Sequence, residues 1–502
     1  MTSIPQHTQI LVIGGGPGGS YAASVLAREG FDVVLLESAK FPRYHIGESM
    51  IPSVRFFFRL IDLDETVSKH GFLVKPGAAF KLVPTRAEGY SSFVALGMNN
   101  TSWNFKRAEI DELILRNAEK CGVKVFEQVT VAGLEFEQND PTKRPIAAQW
   151  KRPSSNEEGV VAFDYLVDAS GRNGIMSTKY LKNRRFMASL NNVACWGYWK
   201  GTERYMPGTE RDNAPWFEAM QDESGWGWFI PLHDGTTSVG IVEEQAASIQ
   251  KKQAAKAANS GTTMKEHYLR QMKLCPGLMK LVADAELVDD GVTPVVRSAS
   301  DYSYTATNYG GDHYRLVGDA GAFIDPLFSS GYHLALTDAL SAAVTIASSI
   351  RDEVSEKDCI EFHDAKVSLA FTKFLVAVLS CYSQIRQQSA AVLSDINESD
   401  FQRAFDIINP VIQGRSETPK SQHLTQDEVK KAMDFCLPLI GLGPEAPKNG
   451  APPPEFMAQM APVKKWLHTL TSFMDQDVIN GFEVNLGRGH LGLVPVKEKE
   501  EA

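Results

Sequence analysis

Residues 14–19 read Gly-Gly-Gly-Pro-Gly-Gly, and Gly14, Gly16 and Gly19 satisfy the spacing GxGxxG. A turn without Cβ atoms lets backbone amides approach a pyrophosphate and lets the next helix pack close to its strand. The turn follows the apolar run Ile10 to Ile13 and opens a helical pattern, Ser20 to Glu29, whose N-terminus favours an anion. Glu37 closes the next apolar strand, where a carboxylate can take both ribose hydroxyls and disfavours a 2′-phosphate. FAD or NAD is therefore preferred to NADP, with Gly15 and Gly18 completing the loop. Three other groups have types and spacing that could do chemistry. Trp226 and Trp228 stand two apart, so on a strand their indoles share one face and can form a wall, although such pairs are also ordinary core. Ser330 and Gly331 open a helical stretch, where a hydroxyl and free amides suit a desolvated halide and equally suit a plain N-cap. Lys75 and Lys81 flank Pro-Gly-Ala-Ala-Phe; most lysines merely solvate a surface.

The elements that must position these groups alternate in type. Ile10 to Ile13, the helix after the glycines and Val33 to Leu36 make a β-α-β unit. Asp111 to Cys121 reads as a helix, and Val123 to Val129 and Asp164 to Asp168 as strands, which together suggest an α/β nucleotide domain. Between about Val193 and Val242, aromatic and β-branched runs separated by Gly, Pro and Asp suggest an antiparallel sheet. From Leu334 the pattern is helical to about Ile440, followed by the Pro/Gly-rich stretch Gly443 to Pro454 and a charged tail, Lys497 to Ala502, expected to fray. The expected division is residues 1–192 and 305–350 for the nucleotide domain, 193–304 for the sheet domain and 351–502 for a helical region capping the substrate.

With 502 residues, 43% of them hydrophobic, the chain can bury a large core divided into sub-domains. A net charge of -10 without a basic cluster argues against nucleic acid and against an anionic membrane surface, leaving small molecules as the expected ligands. The six cysteines have no CxxC spacing, so no metal site and no disulfide framework is expected, and a reducing, cytoplasmic setting fits. No targeting signal is visible at the N-terminus, and Leu369 to Cys381, interrupted by Lys373, reads as a core helix rather than a membrane span.

Longer motifs add a resemblance. Leu316-Val317-Gly318-Asp319-Ala320-Gly321 resembles the second fingerprint of the flavin-monooxygenase superfamily, in which the residue matching Asp319 binds the ribityl chain. Asp168-Ala169-Ser170-Gly171-Arg172 resembles its middle element, and Arg107 matches its flavin-contacting arginine. Within that superfamily the chain resembles flavin-dependent halogenases, specifically the fungal enzymes acting on phenolic polyketides, to about residue 350 and more weakly beyond. Phe41-Pro42-Arg43-Tyr44-His45-Ile46-Gly47-Glu48-Ser49 looks like the family's FPRxxIGES, and Trp226 to Pro231 like its WxWxIP.

The resemblance implies an α/β fold: a Rossmann-type FAD-binding domain of the flavin-monooxygenase kind, an antiparallel sheet domain over the substrate and a helical C-terminal region. It implies that Arg43, Glu48 and Tyr332 lie against the flavin, that Ser330 and Gly331 hold chloride or bromide, and that Trp226 and Trp228 keep substrate from the flavin. With FADH2 and O2 the halide would become a hypohalous acid, delivered by Lys75 to a phenol carbon; Lys81 is the rival lysine. Phe328 stands where tryptophan halogenases carry a glutamate, which favours a phenol over tryptophan. No second GxGxxG follows, so a separate flavin reductase is the expected source of reduced cofactor. A phenol hydroxylase or a non-catalytic flavin-binding relative on the same scaffold is the competing reading.

Overall fold

The computed structural model describes residues 3–389 and 478–496, and between them 405, 408–409, 411–415, 431–433 and 435–436. The first sheet has a parallel centre formed by Tyr314–Leu316, Glu157–Asp168, His7–Ile13, Val33–Glu37 and Lys124–Glu127, in that order. Its inner strands are buried on both faces, which is why 10–13 and 33–36 read as unbroken apolar runs. Helix Pro17–Arg28 starts with proline in its first turn, where the missing N–H costs nothing. It packs on helix Gly331–Ile350, whose Ala339, Ala342, Ala343 and Ala347 are all fully buried.

The second sheet has nine strands and lies over the carboxyl ends of the first. Its central path runs Arg297–Ala306, Arg184–Lys200, Thr236–Glu244, Gly225–Pro231 and Trp216–Ala219, all antiparallel. Two features correct the expected boundaries. Gly77–Lys81 and Gly89–Ser92 extend this sheet, the former parallel to Trp216–Ala219, so residues assigned to the first domain complete the second and the sheet is mixed. Arg184–Lys200 also begins nine residues before position 193.

Helix Glu356–Ile385, capped by Ser355 Oγ accepting from the Asp358 amide at 3.1 Å, is the core helix expected around Leu369. Its first half, with Cys359, Phe362 and Ala365, belongs to the core of the nucleotide domain. Its second half, from Ala370 to Ile385, belongs to the core beneath the second sheet. This helix and Gly331–Ile350 are long and apolar enough to cross a membrane, but 89% and 83% of their apolar windows are buried inside the protein.

The C-terminal region is not wholly helical. Phe482–Asn485 and Gly492–Pro495 form a hairpin whose Leu491 and Leu493 enter the nucleotide-domain core, far from a capping role. Glu29 at the end of the first helix accepts from the amides of Gly489 and Leu491 and pairs with Arg351 at 2.8 Å, which draws the chain back there. Gly443 to Pro454 and the tail Lys497 to Ala502 lie outside the described residues.

Candidate active site

One cavity of about 770 Å³ runs from the glycine turn to the tryptophans. A Cβ on Gly14 would stand 2.3 Å from the Ala169 carbonyl oxygen, and one on Gly19 would stand 2.0 Å from the Gly14 oxygen. Gly14 also has φ +102°, so the crossing of strand, turn and helix tolerates no side chain at either position. Gly18 presses on Val317 in the same way, whereas Gly16 faces the cavity with just the Arg43 Nη2 atom within 3.6 Å. Glu37 holds the turn: its Oε2 accepts from the Gly15 amide at 2.6 Å and its Oε1 from the Ala39 amide at 2.6 Å. The cradle is thus shaped for a phosphate at Gly16, with a carboxylate beside it for a ribose.

Further along, Arg43 and Arg107 are clamped by one carboxylate that the sequence reading passed over. Asp111 is fully buried and accepts from Arg43 Nη1 at 3.0 Å and from Arg107 Nε and Nη2 at 2.9 Å each. Arg107 Nη1 also donates to the Ile46 carbonyl at 2.8 Å, and its guanidinium lies 5.1 Å from the Tyr332 ring centroid. The nearby Arg107 cation, with burial, pulls the His45 imidazole down to about 4. Asp319 lies in the turn Gly318–Ala320; burial raises its carboxyl to about 6 against the opposing pull of Arg107, Arg172 and Arg184. Asp168, by contrast, is structural: its oxygens accept from the Ser170 amide and hydroxyl and the Met176 amide, fixing the turn.

Glu48 is buried at the cavity wall. Burial pushes its carboxyl up to about 7, while hydrogen bonds from Tyr198 and Ser238 and the charges of Arg107 and Lys106 partly offset the rise. Tyr198 donates to its Oε1 at 2.7 Å, and Tyr198 and Trp196 also converge on the Tyr44 hydroxyl. Ser49 bridges to Asn104, and the next helix begins at Val54.

The far wall is aromatic. Trp226 and Trp228 share a face of Gly225–Pro231 with ring centroids 6.0 Å apart, and Trp196, two strands away on Arg184–Lys200, stands 6.3 Å from Trp228. All three line the cavity. Trp226 is fixed by donating to the Tyr382 hydroxyl at 2.8 Å, and Tyr382 donates to Asp325 at 2.6 Å, a carboxylate that also receives Asn192. Asp325 in turn caps the short turn Pro326–Phe328. This chain of polar contacts ties the tryptophan strand to the segment leading into helix Gly331–Ile350.

At the N-terminus of that helix, Gly331 and Tyr332 line the cavity, and no atom comes within 4 Å of where a Gly331 Cβ would be. Ser330 is fully buried, does not cap the helix with its side chain, and its Oγ has no hydrogen-bond partner among the described residues. Helix geometry leaves the first amides without intrahelical acceptors, and Ser330, unlike Ser329 and Gly331 on either side, lies just behind the cavity lining.

Lys75 ends the strand Leu73–Lys75 and is 1% exposed. Its Nζ donates to Ser49 Oγ at 2.8 Å and lies 5.0 Å from the Phe93 centroid. Ser49 lines the cavity and Lys75 does not, so the amine stands directly behind the wall. Burial alone pulls its pKa down to about 7. Lys81 is half-buried and donates to the Arg86 carbonyl, away from this wall.

A glycine turn joined in one cavity to an aromatic wall and the open start of a helix is the layout of a dinucleotide-dependent oxidoreductase. The family model for tryptophan halogenase matches residues 9–100 and 94–422. The chain is 53% identical to the flavin-dependent halogenase armH4 of Armillaria mellea over 87% of its length and 83% of the relative's. It is 49% identical to armH3 of the same fungus over 98% and 99%, and 45% identical to ascD of Acremonium egyptiacum over 100% and 94%. The structure is similar to the myxobacterial chondrochloren halogenase CndH, with a TM-score of 0.67 and 29% identity over 86% of this chain and 98% of that one. The chain belongs to the flavin-dependent halogenases, enzymes that use FADH2, O2 and a halide to halogenate a small molecule.

Proposed function

We propose that this halogenase acts on an electron-rich phenol, that Lys75 delivers the halogen, and that a separate flavin reductase supplies the reduced cofactor. The observation that carries the reading is the buried Lys75 amine, whose pKa of about 7 leaves much of it uncharged near neutrality, one side chain behind the cavity. FAD would rest on the glycine turn and against Glu37, Arg43, Glu48, Arg107, Asp319 and Tyr332, and when reduced it supplies, with O2, the oxidising power that turns a halide into a hypohalous acid.

Ser330 Oγ and the first amides of helix Gly331–Ile350 hold the halide, and burial strips its water. Trp226 and Trp228 exclude the organic substrate from this end. The uncharged Lys75 Nζ attacks the halogen of hypochlorous acid: the N–Cl bond forms, O–Cl breaks, and hydroxide takes the displaced proton from nitrogen to leave as water. The ring carbon then attacks chlorine, N–Cl breaks, and the ring proton restores the amine. Ser49 Oγ holds the nitrogen in place for both steps.

The phenol follows from the carboxylates. Those lining the cavity are Glu37, Glu48 and Asp319, all at its cofactor end, and Phe328 is packed into the core 5.4 Å from Phe80. Among the described residues no carboxylate lines the far wall to stabilise a cationic ring, and a phenol brings its own donor in its oxygen.

The test is incubation with a flavin reductase, bromide and a panel of resorcinol-, orsellinate- and benzophenone-type phenols beside tryptophan, read by isotope pattern. Brominated phenols are expected. A product that gains one oxygen regardless of bromide, or bromination of tryptophan in preference to every phenol, would overturn the proposal.

A further inference from the structure

His70, Glu109 and His233 come from three separate stretches and meet at one point on the surface. His70 closes the short helix Asp64–Lys69, Glu109 lies in the first turn of Arg107–Lys120, and His233 sits in the turn between Gly225–Pro231 and Thr236–Glu244. His70 Nε2 stands 2.8 Å and His233 Nε2 3.2 Å from the same atom, Glu109 Oε2. All three donor atoms fall within 4.8 Å of one another. Phe72 packs on both imidazoles, with centroids 4.3 and 5.2 Å away, and so restrains the rings.

Two imidazole nitrogens and a carboxylate oxygen are a zinc donor set, and bonds of about 2.0–2.1 Å at tetrahedral angles put donor atoms roughly 3.3 Å apart. The three side chains keep exposures of 30, 33 and 20%, so a water can enter to fill the fourth position. The other His/carboxylate cluster among the described residues, Asp312, His313 and Glu356, lacks this freedom: Arg315 already takes both Glu356 oxygens at 2.9 and 3.1 Å.

We propose that His70, Glu109 and His233 bind a zinc ion that pins the turn of the second sheet to the nucleotide domain. None of the three lines the cavity, so the ion is a clamp and takes no part in the reaction. It reinforces the Lys106–Asp234 pair at 2.7 Å, which joins the same two elements beside it. It also fixes the start of the helix that carries Arg107 and Asp111.

Zinc chloride titrated calorimetrically into the full-length, FAD-loaded protein is expected to saturate at one ion per chain and to raise the melting temperature. Losing even an outer-shell partner of a zinc ligand costs about 10–100-fold in affinity, so His70→Asn and Glu109→Gln should each weaken binding by at least about tenfold. His313→Asn, in the other cluster, should leave it unchanged. X-ray absorption at the zinc edge should show two imidazoles. Absence of stoichiometric binding, or binding equally tight in both His70→Asn and Glu109→Gln with circular dichroism unaltered, would overturn the proposal.

Discussion

Lys75 combines a buried amine with hydrogen bonding to a neutral hydroxyl, and the cost of that arrangement is measurable. Its pKa is about 7 when folded and near the ordinary 10.5 when unfolded. Below about 7 both states carry the proton, and the folded state bears the full penalty of a buried charge. As pH rises from about 7 towards 10.5 the folded chain sheds the proton first, so stability increases. Lys75→Met should therefore abolish halogenation with FAD still bound, and should also stabilise the protein by on the order of a few kcal/mol near pH 6, a gain that fades towards pH 10. Calorimetric melting across that range checks the second half independently of activity; halogenated product from the variant would pass the role to Lys81. Ser330 is the second residue whose isolation is informative. Ser330→Ala should raise the halide KM about tenfold, roughly the worth of one hydrogen bond to an anion, with little change in the Kd for FAD, as steady-state rates against bromide concentration would show.

At the scale of elements, helix Arg107–Lys120 matters because a single carboxylate on it organises two cavity-lining arginines. Asp111→Asn should cost about 3–5 kcal/mol of stability, the usual penalty for stripping one partner from a buried ion pair, and weaken FAD binding; melting curves and flavin fluorescence would measure both. This clamp was partly legible in the sequence, since Arg107 and Asp111 stand four apart on a helix, a spacing at which opposite charges meet. The helix was expected to start at Asp111, which hid the pair. The glycine turn, the tryptophan strand and the helix opening at Gly331 were readable because local spacing alone specifies them. Trp196, Tyr198, Tyr382 and Asn192 were not, because they reach the site through strand pairing and helix packing between residues far apart in the chain. His70, Glu109 and His233 escaped notice for the same reason.

Over the whole molecule, the order of the layers was legible and their membership was not. The second sheet borrows Gly77–Lys81 and Gly89–Ser92 from within the first domain's stretch, and short, glycine-containing strands give weak periodic signals. The return of the C-terminal hairpin was invisible, because its contacts with Glu29, Ser348 and Arg351 are set by tertiary packing alone. Leu493 is 3% exposed in that hairpin. Leu493→Ala should cost about 2–5 kcal/mol and loosen the hairpin, so trypsin should cut at the exposed Arg488 faster than in the parent protein. Digestion followed by mass spectrometry reads the rate of cleavage.

Helix Glu356–Ile385 drives its first half into one core and its second half into the other. Prising the two layers apart would strip apolar side chains from both at once, a far larger cost than any ligand repays. Both cores thus oppose a clamshell stroke between these two layers. Flavin and aromatic guest must therefore suit a cavity whose two sheet-bearing walls are tied together by one helix.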